Sequence, residues 1–237
     1  KKKIKCLLST HLLDEAFIGL PDYLIKKKIP IFNFQHGHAR EIRHQPEFDK
    51  WIYILEALAD QTFTYNERYK DRSIIISKLY RGKFTNVGTP TVYKKNKIFF
   101  KNPKYEIIFL SSSIFNGLNN RLLPVTLWSD KKKINFELSL IKNVFRKISY
   151  NILYKIYPTN GNLSEPILKK EIMKHKNIKF IKKNYDANYF FYSKRIIIIY
   201  SVSSSLGWAL LSNLPVILIN TSEKPIKREL EKEFKKS

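Results

Sequence analysis

The sequence predicts an α/β protein made of two Rossmann-like halves that face each other across a cleft. Short β-branched and aromatic runs alternate with segments of amphipathic, helix-like composition along the whole chain. This alternation is typical of βαβ units that build parallel sheets. A polar and basic stretch at 92–105 separates two such series. We therefore place one half at residues 1–95 and the other at residues 105–237.

The first half is predicted to alternate strands with helices. Strands are expected where short apolar runs are bounded by turn residues, and helices where apolar residues recur with a helical period. The predicted strands are 4–8, 29–34, 61–65 and 83–87. The predicted helical segments are 14–27, which begins as a loop, 48–59 and 66–78. Few elements precede residue 29, and we expect this half to be truncated.

The second half repeats the pattern with longer β-branched runs, which are typical of strands buried on both faces. The predicted strands are 107–111, 152–156, 178–181, 196–200 and 216–219. The predicted helices are 134–146, 166–174 and 207–212. The uncharged segment 196–222 is long enough to cross a bilayer. Its serines, with Asn213 and Pro215, would be costly in lipid, and we expect a protein core instead.

The composition predicts a folded, strongly basic protein. Hydrophobic residues make up 43% of the chain, and 44 Lys and Arg against 20 Asp and Glu give a net charge of +24. Such a surface attracts polyanions, namely nucleic acid, anionic lipid or acidic glycan. The lysines are scattered between the predicted elements, which argues against nucleic acid as the partner. A solvated, lysine-rich surface with no binding role is the alternative.

The single cysteine, Cys6, excludes an internal disulfide and favours a reducing compartment. We therefore expect a cytoplasmic location, with peripheral contact between the basic surface and the anionic inner face of the membrane. The chain has no initiator Met, and we expect it to be a fragment of a longer protein.

A serine cluster follows the fourth predicted strand of the second half. Ser203, Ser204 and Ser205 stand where this strand turns into a helix. Hydroxyls and backbone N–H groups at such a turn bind anions, and open α/β sheets hold phosphorylated ligands there. The alternative is that the serines only cap the helix.

A histidine motif follows the strand 29–34 in the first half. It comprises Gln35, His36, Gly37, His38, Arg40 and Glu41. Gly37 permits a sharp turn, and His36 can act as a general base or, when protonated, as a phosphate ligand. His38 takes that role if the strand ends one residue later. Arg40 and Glu41 either steer an acceptor or pair with each other.

Two further strand exits carry candidate site residues. Lys155, Tyr157 and Pro158 follow one strand, where the lysine can meet a phosphate and the tyrosine can stack on a base. Gly88 and Thr89 follow another strand in the first half. No metal site is expected, because His36 and His38 lack a carboxylate or thiolate cluster at ligand spacing.

The order of these motifs resembles bacterial glycosyltransferases of the GT-B fold that make surface polysaccharides. The most similar groups are the CDP-glycerol glycerophosphotransferase-like and the CMP-sugar (sialic acid or Kdo) transferase-like enzymes. The resemblance implies that the serine cluster holds the donor phosphate. Those groups often carry a His-Pro turn that contacts the nucleotide; Pro158 matches its proline, and Tyr157 stands in place of its histidine.

The resemblance implies a glycosyltransferase or glycerophosphotransferase that uses a nucleotide-activated donor and no other cofactor. The donor would bind the second half through the serines, Lys155, Tyr157 and Pro158. A glycan or lipid-linked acceptor would enter from the first half, where His36 takes the proton of the attacking hydroxyl. Two alternatives stay open: a sugar-nucleotide epimerase of the same architecture, and a non-catalytic polyanion-binding protein.

Overall fold

A computed structural model shows that the chain divides into two compact units, Lys1–Val92 and Tyr93–Ser237. Each unit contains its own sheet, and the described strands pair in parallel. The predicted α/β class with parallel, Rossmann-like sheets is therefore confirmed. The residues that the structure describes are 3–10, 19–35, 37, 39–42, 58–67, 82–90, 104–112, 128–157, 165–181, 185–191, 194–222 and 225–236.

Unit 1 has a four-stranded sheet whose strands lie in chain order. The strands are β1 (Leu7–Ser9), β2 (Ile31–Phe34), β3 (Gln61–Thr64) and β4 (Lys83–Asn86). The described helices are α1 (Gly19–Lys26) and the single turn α2 (Ala39–Ile42). Leu24 on α1 is buried with Ile31 and Ala59, so the apolar face of this helix packs against the sheet.

Asp60 holds the amino ends of the unit 1 strands in register. Its side chain accepts a hydrogen bond from the Ile31 N–H at 2.8 Å, and its own N–H donates to the Ile31 carbonyl oxygen at 2.8 Å. Its carbonyl oxygen accepts from the Lys83 N–H at 3.0 Å. Asp60, the residue before β3, thus connects β2 with β4.

Unit 2 has a five-stranded sheet with β5 at its centre. The strands are β5 (Ile107–Leu110), β6 (Ile152–Lys155), β7 (Ile178–Ile181), β8 (Ile196–Ile199) and β9 (Val216–Leu218), in the order β7-β6-β5-β8-β9. The helices are α3 (Asp130–Asn143), α4 (Glu165–Ile172), α5 (Ser204–Leu210) and α6 (Arg228–Phe234), with 3-10 helices at Phe145–Lys147 and Ala187–Phe190.

The core of unit 2 explains why the central strands are so apolar. Every residue of β5 and β6 is buried, as expected for strands that are covered on both faces. The Phe109 ring lies within 6.0 Å, centroid to centroid, of the rings of Phe145, Tyr154 and Tyr200. The core also holds Ile141 of α3 and Leu168 of α4, so these two helices pack against the sheet.

Helix α3 buries charged residues on the face that carries Ile141. Lys133 and Glu137 stand eight and four residues before it, and both side chains are fully buried. The Glu137 carboxylate accepts hydrogen bonds from the hydroxyls of Tyr154 and Tyr200 and from the Ser111 hydroxyl, the last at 2.8 Å. These donors come from β5, β6 and β8 or their ends, so the carboxylate joins α3 to three neighbouring strands.

Several predicted boundaries differ from the observed ones for local reasons. Helix α3 begins at Asp130 and not at 134, because the Ser129 hydroxyl caps it by accepting from the Lys132 N–H at 3.3 Å. Helix α5 begins at Ser204 and not at 207, since its first turn includes the serines. Helices α2 and α6 were not predicted. The predicted helices 48–59 and 66–78 lie almost entirely outside the described residues.

The uncharged segment forms the β8–α5–β9 unit of the second sheet. Within the described ranges, no helix combines the length and the apolar character needed to cross a bilayer.

We predict that Gly82→Ala destabilises unit 1. A Cβ at this position would overlap the carbonyl oxygens of Ala59 and Asp60, which are backbone atoms that cannot rotate away. We expect a loss of about 1–3 kcal/mol in the free energy of unfolding, measured by urea denaturation. Gly19→Ala is the matched control, because a Cβ there meets no described atom within 4 Å. Equal unfolding midpoints for the two variants would contradict the prediction.

Candidate functional site

The strand order of unit 2 creates one switch point in its sheet. From the central strand β5 the chain moves outward to β6 and β7, and then returns to β8 on the other side of β5. Connections on the two sides of a switch point leave in opposite directions. A crevice therefore opens at the carboxyl ends of the strands, which is where open α/β sheets bind ligands.

A pocket lies at this place and is lined by the exits of β5, β6 and β8. Its lining residues are Leu110, Ser111, Lys155, Ile156, Tyr157, Asp186, Ala187, Ser203, Ser204, Ser205 and Trp208. Of the residues predicted for the donor side, the pocket brings together Lys155, Tyr157 and the three serines. Pro158 lies outside the described residues.

The three serine hydroxyls are available to a ligand. Ser203 precedes α5 in extended backbone conformation, but its side chain makes no capping hydrogen bond. Within the described part of the chain, no residue supplies a hydrogen-bond partner to the hydroxyls of Ser203, Ser204 or Ser205. The geometry therefore does not support the capping interpretation. Because α5 has only seven residues, the hydroxyls matter more here than the helix dipole.

Lys155 places a buried ammonium group in the lining. Its side chain is 3% exposed, and Nζ donates to the Ile156 carbonyl oxygen at 2.7 Å and lies 5.7 Å from the centroid of the Phe190 ring. Burial lowers the pKa of Lys155 to about 8, and the charge of Asp186 opposes this shift. Lys155 is therefore mostly charged at pH 7, and an anion in the pocket would favour that charged form.

Unsatisfied polar atoms also collect around this edge of the sheet. Among the described residues, Ser112 Oγ, Ser201 Oγ and Asn188 Oδ1 of unit 2 are buried without a hydrogen-bond partner, as is Asn33 Oδ1 in β2 of unit 1. Ser112 follows β5, Ser201 follows β8, and Asn188 belongs to the 3-10 helix that contributes Ala187 to the pocket. Buried polar groups without partners are destabilising and are uncommon in folded proteins, so a cluster of them is typical of a functional region.

The carboxyl ends of the unit 1 strands carry a second polar cluster. Gln35 donates to the Gly37 carbonyl oxygen at 2.9 Å and to Glu41 Oε1 at 2.6 Å, and its Oε1 accepts from the Tyr65 N–H at 2.7 Å. Asn66 donates to Glu41 Oε2 at 2.5 Å. The cluster ties the loop after β2 to the loop after β3, and both Glu41 oxygens serve as acceptors within it.

The structure leaves the catalytic histidines of the sequence prediction untested. His36 and His38 lie outside the described residues, as does the Arg40 side chain. Gly37 has a positive φ of 71°, in agreement with the predicted sharp turn between them.

Gly88 and Thr89 form a turn after β4. The φ of Gly88 is 79°, and its N–H donates to Asn86 Oδ1 at 3.0 Å. Gly88 is exposed and Thr89 is half-buried. Neither residue takes part in the hydrogen bonds that join Gln35 to Glu41.

The sequence analysis missed Ser111, Asp186 and Glu137. The position of Ser111 directly after a strand was a usable signal, because ligands bind at that edge of the sheet. Glu137 had a weaker signal, namely its four-residue spacing from Lys133 and Ile141. Within the described ranges, no group of three or more His, Cys, Asp or Glu side chains is placed to hold a metal ion.

Comparison with known proteins finds solved structures with a similar fold but no protein with a similar sequence. No protein-family model matches the chain, and no curated protein matches it. The chain is similar to S. aureus MnaA, solved with UDP: the TM-score is 0.59 at 12% identity, over 95% of this chain and 59% of that one.

Two further solved structures are UDP-GlcNAc 2-epimerases. The Neisseria meningitidis enzyme, bound to UDP-GlcNAc, has a TM-score of 0.57 at 14% identity, over 92% of this chain and 60% of that one. The Rickettsia bellii enzyme has a TM-score of 0.55 at 16% identity, over 92% and 57%. The chain thus spans less than two thirds of the length of each. At these identities the likeness shows the fold alone, an α/β fold of the GT-B-like, Rossmann-like class.

Proposed function

We propose that this protein processes a nucleotide sugar and binds the nucleotide in the unit 2 pocket. One observation carries the proposal: Lys155 and three serine hydroxyls without described partners converge at the switch point of a parallel sheet. A cation and several hydroxyl donors suit a diphosphate. Solved structures of the same fold that contain UDP or UDP-GlcNAc support the choice of a UDP-sugar.

The site has the chemistry to stabilise a leaving nucleotide. When the bond between the sugar carbon and the diphosphate oxygen breaks, the electron pair stays on the oxygen and negative charge builds on the phosphate. Lys155 and the hydroxyls of Ser203–Ser205 would stabilise that charge with their donors. Tyr157, which is 38% exposed, and Trp208 would offer aromatic faces to the base or the sugar.

We favour epimerisation over glycosyl transfer. Both reactions break the same sugar–phosphate bond, and solved structures that share this fold include UDP-GlcNAc 2-epimerases. The net charge of +24 favours the transferase alternative, because a basic surface suits an acidic glycan or lipid-linked acceptor at an anionic membrane. In either case, we propose that the histidine motif supplies the proton-transfer group, with His36 as the first candidate and His38 and Glu41 as the others.

The decisive experiment is product analysis with the donor alone. We expect the protein to convert UDP-GlcNAc into its 2-epimer without any acceptor, as followed by proton NMR. A transferase would leave the sugar configuration unchanged and would consume UDP-, CDP- or CMP-activated donors only when an acceptor glycan is present. A polyanion-binding protein would bind nucleic acid in a strongly salt-dependent manner and would turn over no donor.

We predict that Ser203→Ala and Ser204→Ala weaken UDP binding. Each lost hydrogen bond to a charged phosphate should cost about 1.5–3 kcal/mol, measured by calorimetric titration. Ser149→Ala is the matched control, because Ser149 is an exposed serine of the same unit that does not line the pocket. If the double variant binds UDP as tightly as the unchanged protein, the serines are not phosphate ligands.

We also predict that UDP binding weakens as the pH rises through about 8. Lys155 is charged below its pKa of about 8 and neutral above it, whereas the UDP phosphates are already ionised at pH 7. Affinity should therefore fall by about tenfold between pH 7 and pH 9. Lys155→Met should bind weakly at both pH values, and the exposed Lys169→Met should behave like the unchanged protein. If the affinity of Lys155→Met for UDP still falls between pH 7 and pH 9, Lys155 is not the source of the pH dependence.

A third prediction concerns catalysis. His36→Ala should lower kcat by roughly 10²–10⁴ while UDP affinity stays nearly constant, because a general base acts on the reacting group and not on the nucleotide. His175→Ala is the control, because His175 belongs to unit 2, contacts Glu171 and does not line the pocket. Loss of UDP binding with unchanged kcat at saturation would make His36 a phosphate ligand instead.

A further inference from the structure

The Ser111 hydroxyl differs from the other pocket hydroxyls because its hydrogen is already engaged. Ser111 Oγ donates to Glu137, at 2.8 Å from Oε1 and 3.1 Å from Oε2, with the Ser112 carbonyl oxygen at 3.2 Å as a further acceptor. These three neighbours are all acceptors. A serine hydroxyl has one hydrogen and two lone pairs. Ser111 therefore has only lone pairs left for the pocket that it lines.

Glu137 is placed so that it keeps this arrangement. Its side chain is fully buried, and it also accepts hydrogen bonds from the hydroxyls of Tyr154 and Tyr200, while the Ser112 N–H approaches Oε1 at 3.4 Å. All three hydroxyls donate to Glu137, so its oxygens act as acceptors towards Ser111. Lys133, one helical turn earlier, is buried on the same helix face.

We propose that Glu137 is a positioning residue that turns Ser111 into a hydrogen-bond acceptor for a hydroxyl group of the ligand. This inference rests on the proposed nucleotide-sugar function and deepens it. The pocket then combines donors at Lys155 and Ser203–Ser205 for the phosphates with acceptors at Ser111 and at the Asp186 carboxylate, and Ser111 is the uncharged acceptor for a hydroxyl. The hydroxyl belongs either to the ribose or to the sugar.

The strand order places Ser111 where it can make such a contact. Ser111 follows the central strand β5, between the exit of β6, which carries Lys155, and the exit of β8, which leads to the serines. A phosphate held by those donors would bring the adjoining ribose and sugar over the end of β5. An acceptor there would discriminate between ligands with and without a hydroxyl group, and it would repel a misplaced phosphate.

The test compares UDP with a nucleotide that lacks the ribose hydroxyls and with one that carries the sugar. Calorimetry would give the affinities of the unchanged protein and of Ser111→Ala for UDP, for 2′,3′-dideoxy-UDP and for UDP-GlcNAc. We expect the preference for UDP over dideoxy-UDP, or the preference for UDP-GlcNAc over UDP, to fall by about three- to tenfold in Ser111→Ala. The first result identifies the ribose as the partner, and the second identifies the sugar.

Glu137→Gln tests the positioning role. Its amide can donate to Ser111 and release the serine hydrogen towards the pocket, so the same preference should fall although Ser111 is unchanged. Tyr154→Phe is the control, because it removes another donor to Glu137 without touching the pocket lining, and it should keep the preference. If both preferences survive in Ser111→Ala, this inference is overturned, whatever Glu137→Gln does. If the unchanged protein binds no UDP-, CDP- or CMP-nucleotide, the proposed function is overturned together with it.

Discussion

The buried carboxylate of Glu137 is the interaction on which the organisation of unit 2 depends. A buried carboxyl group is destabilising unless hydrogen-bond partners surround it. Here the donors come from the end of β5, from β6 and from the residue after β8, while the carboxylate itself belongs to α3. Helix α3 and the ends of the three strands must therefore be correctly placed before all three hydroxyls can reach the Glu137 carboxyl group. The edge of the sheet that carries the pocket is thereby held in one arrangement.

The two units use the same principle with different residues. In unit 2 the Glu137 carboxyl group accepts hydrogen bonds from hydroxyls. In unit 1 Glu41 accepts hydrogen bonds from the side-chain amides of Gln35 and Asn66. Both clusters lie at the carboxyl ends of parallel strands, where side chains of different strands come close. In unit 2 the cluster includes Ser111 of the pocket lining, and in unit 1 it includes Gln35 and Glu41 of the predicted histidine motif.

Much of the fold was predictable because strands that are buried on both faces have an apolar, β-branched composition. The four isoleucines of β8 predicted a strand buried on both faces, and the apolar run of β5 predicted a strand. The strand order was not predictable, since it depends on which faces the connecting helices cover. Glu137 was missed because a charged residue on a helix usually faces solvent. Whether the Ser203 hydroxyl caps α5 depends on its side-chain orientation, which composition does not encode.

The central position of β5 also has a consequence for how the chain acquires its fold. One edge of β5 pairs with β6, the next described strand along the chain, and the other edge pairs with the later strand β8, where Ile107 is opposite Ile196. During synthesis the partial sheet β7-β6-β5 would therefore exist with an open, apolar edge. Such an edge can pair with a neighbouring chain. Arrival of β8 closes it, so the strand that leads to the serine turn also protects the nascent protein from aggregation.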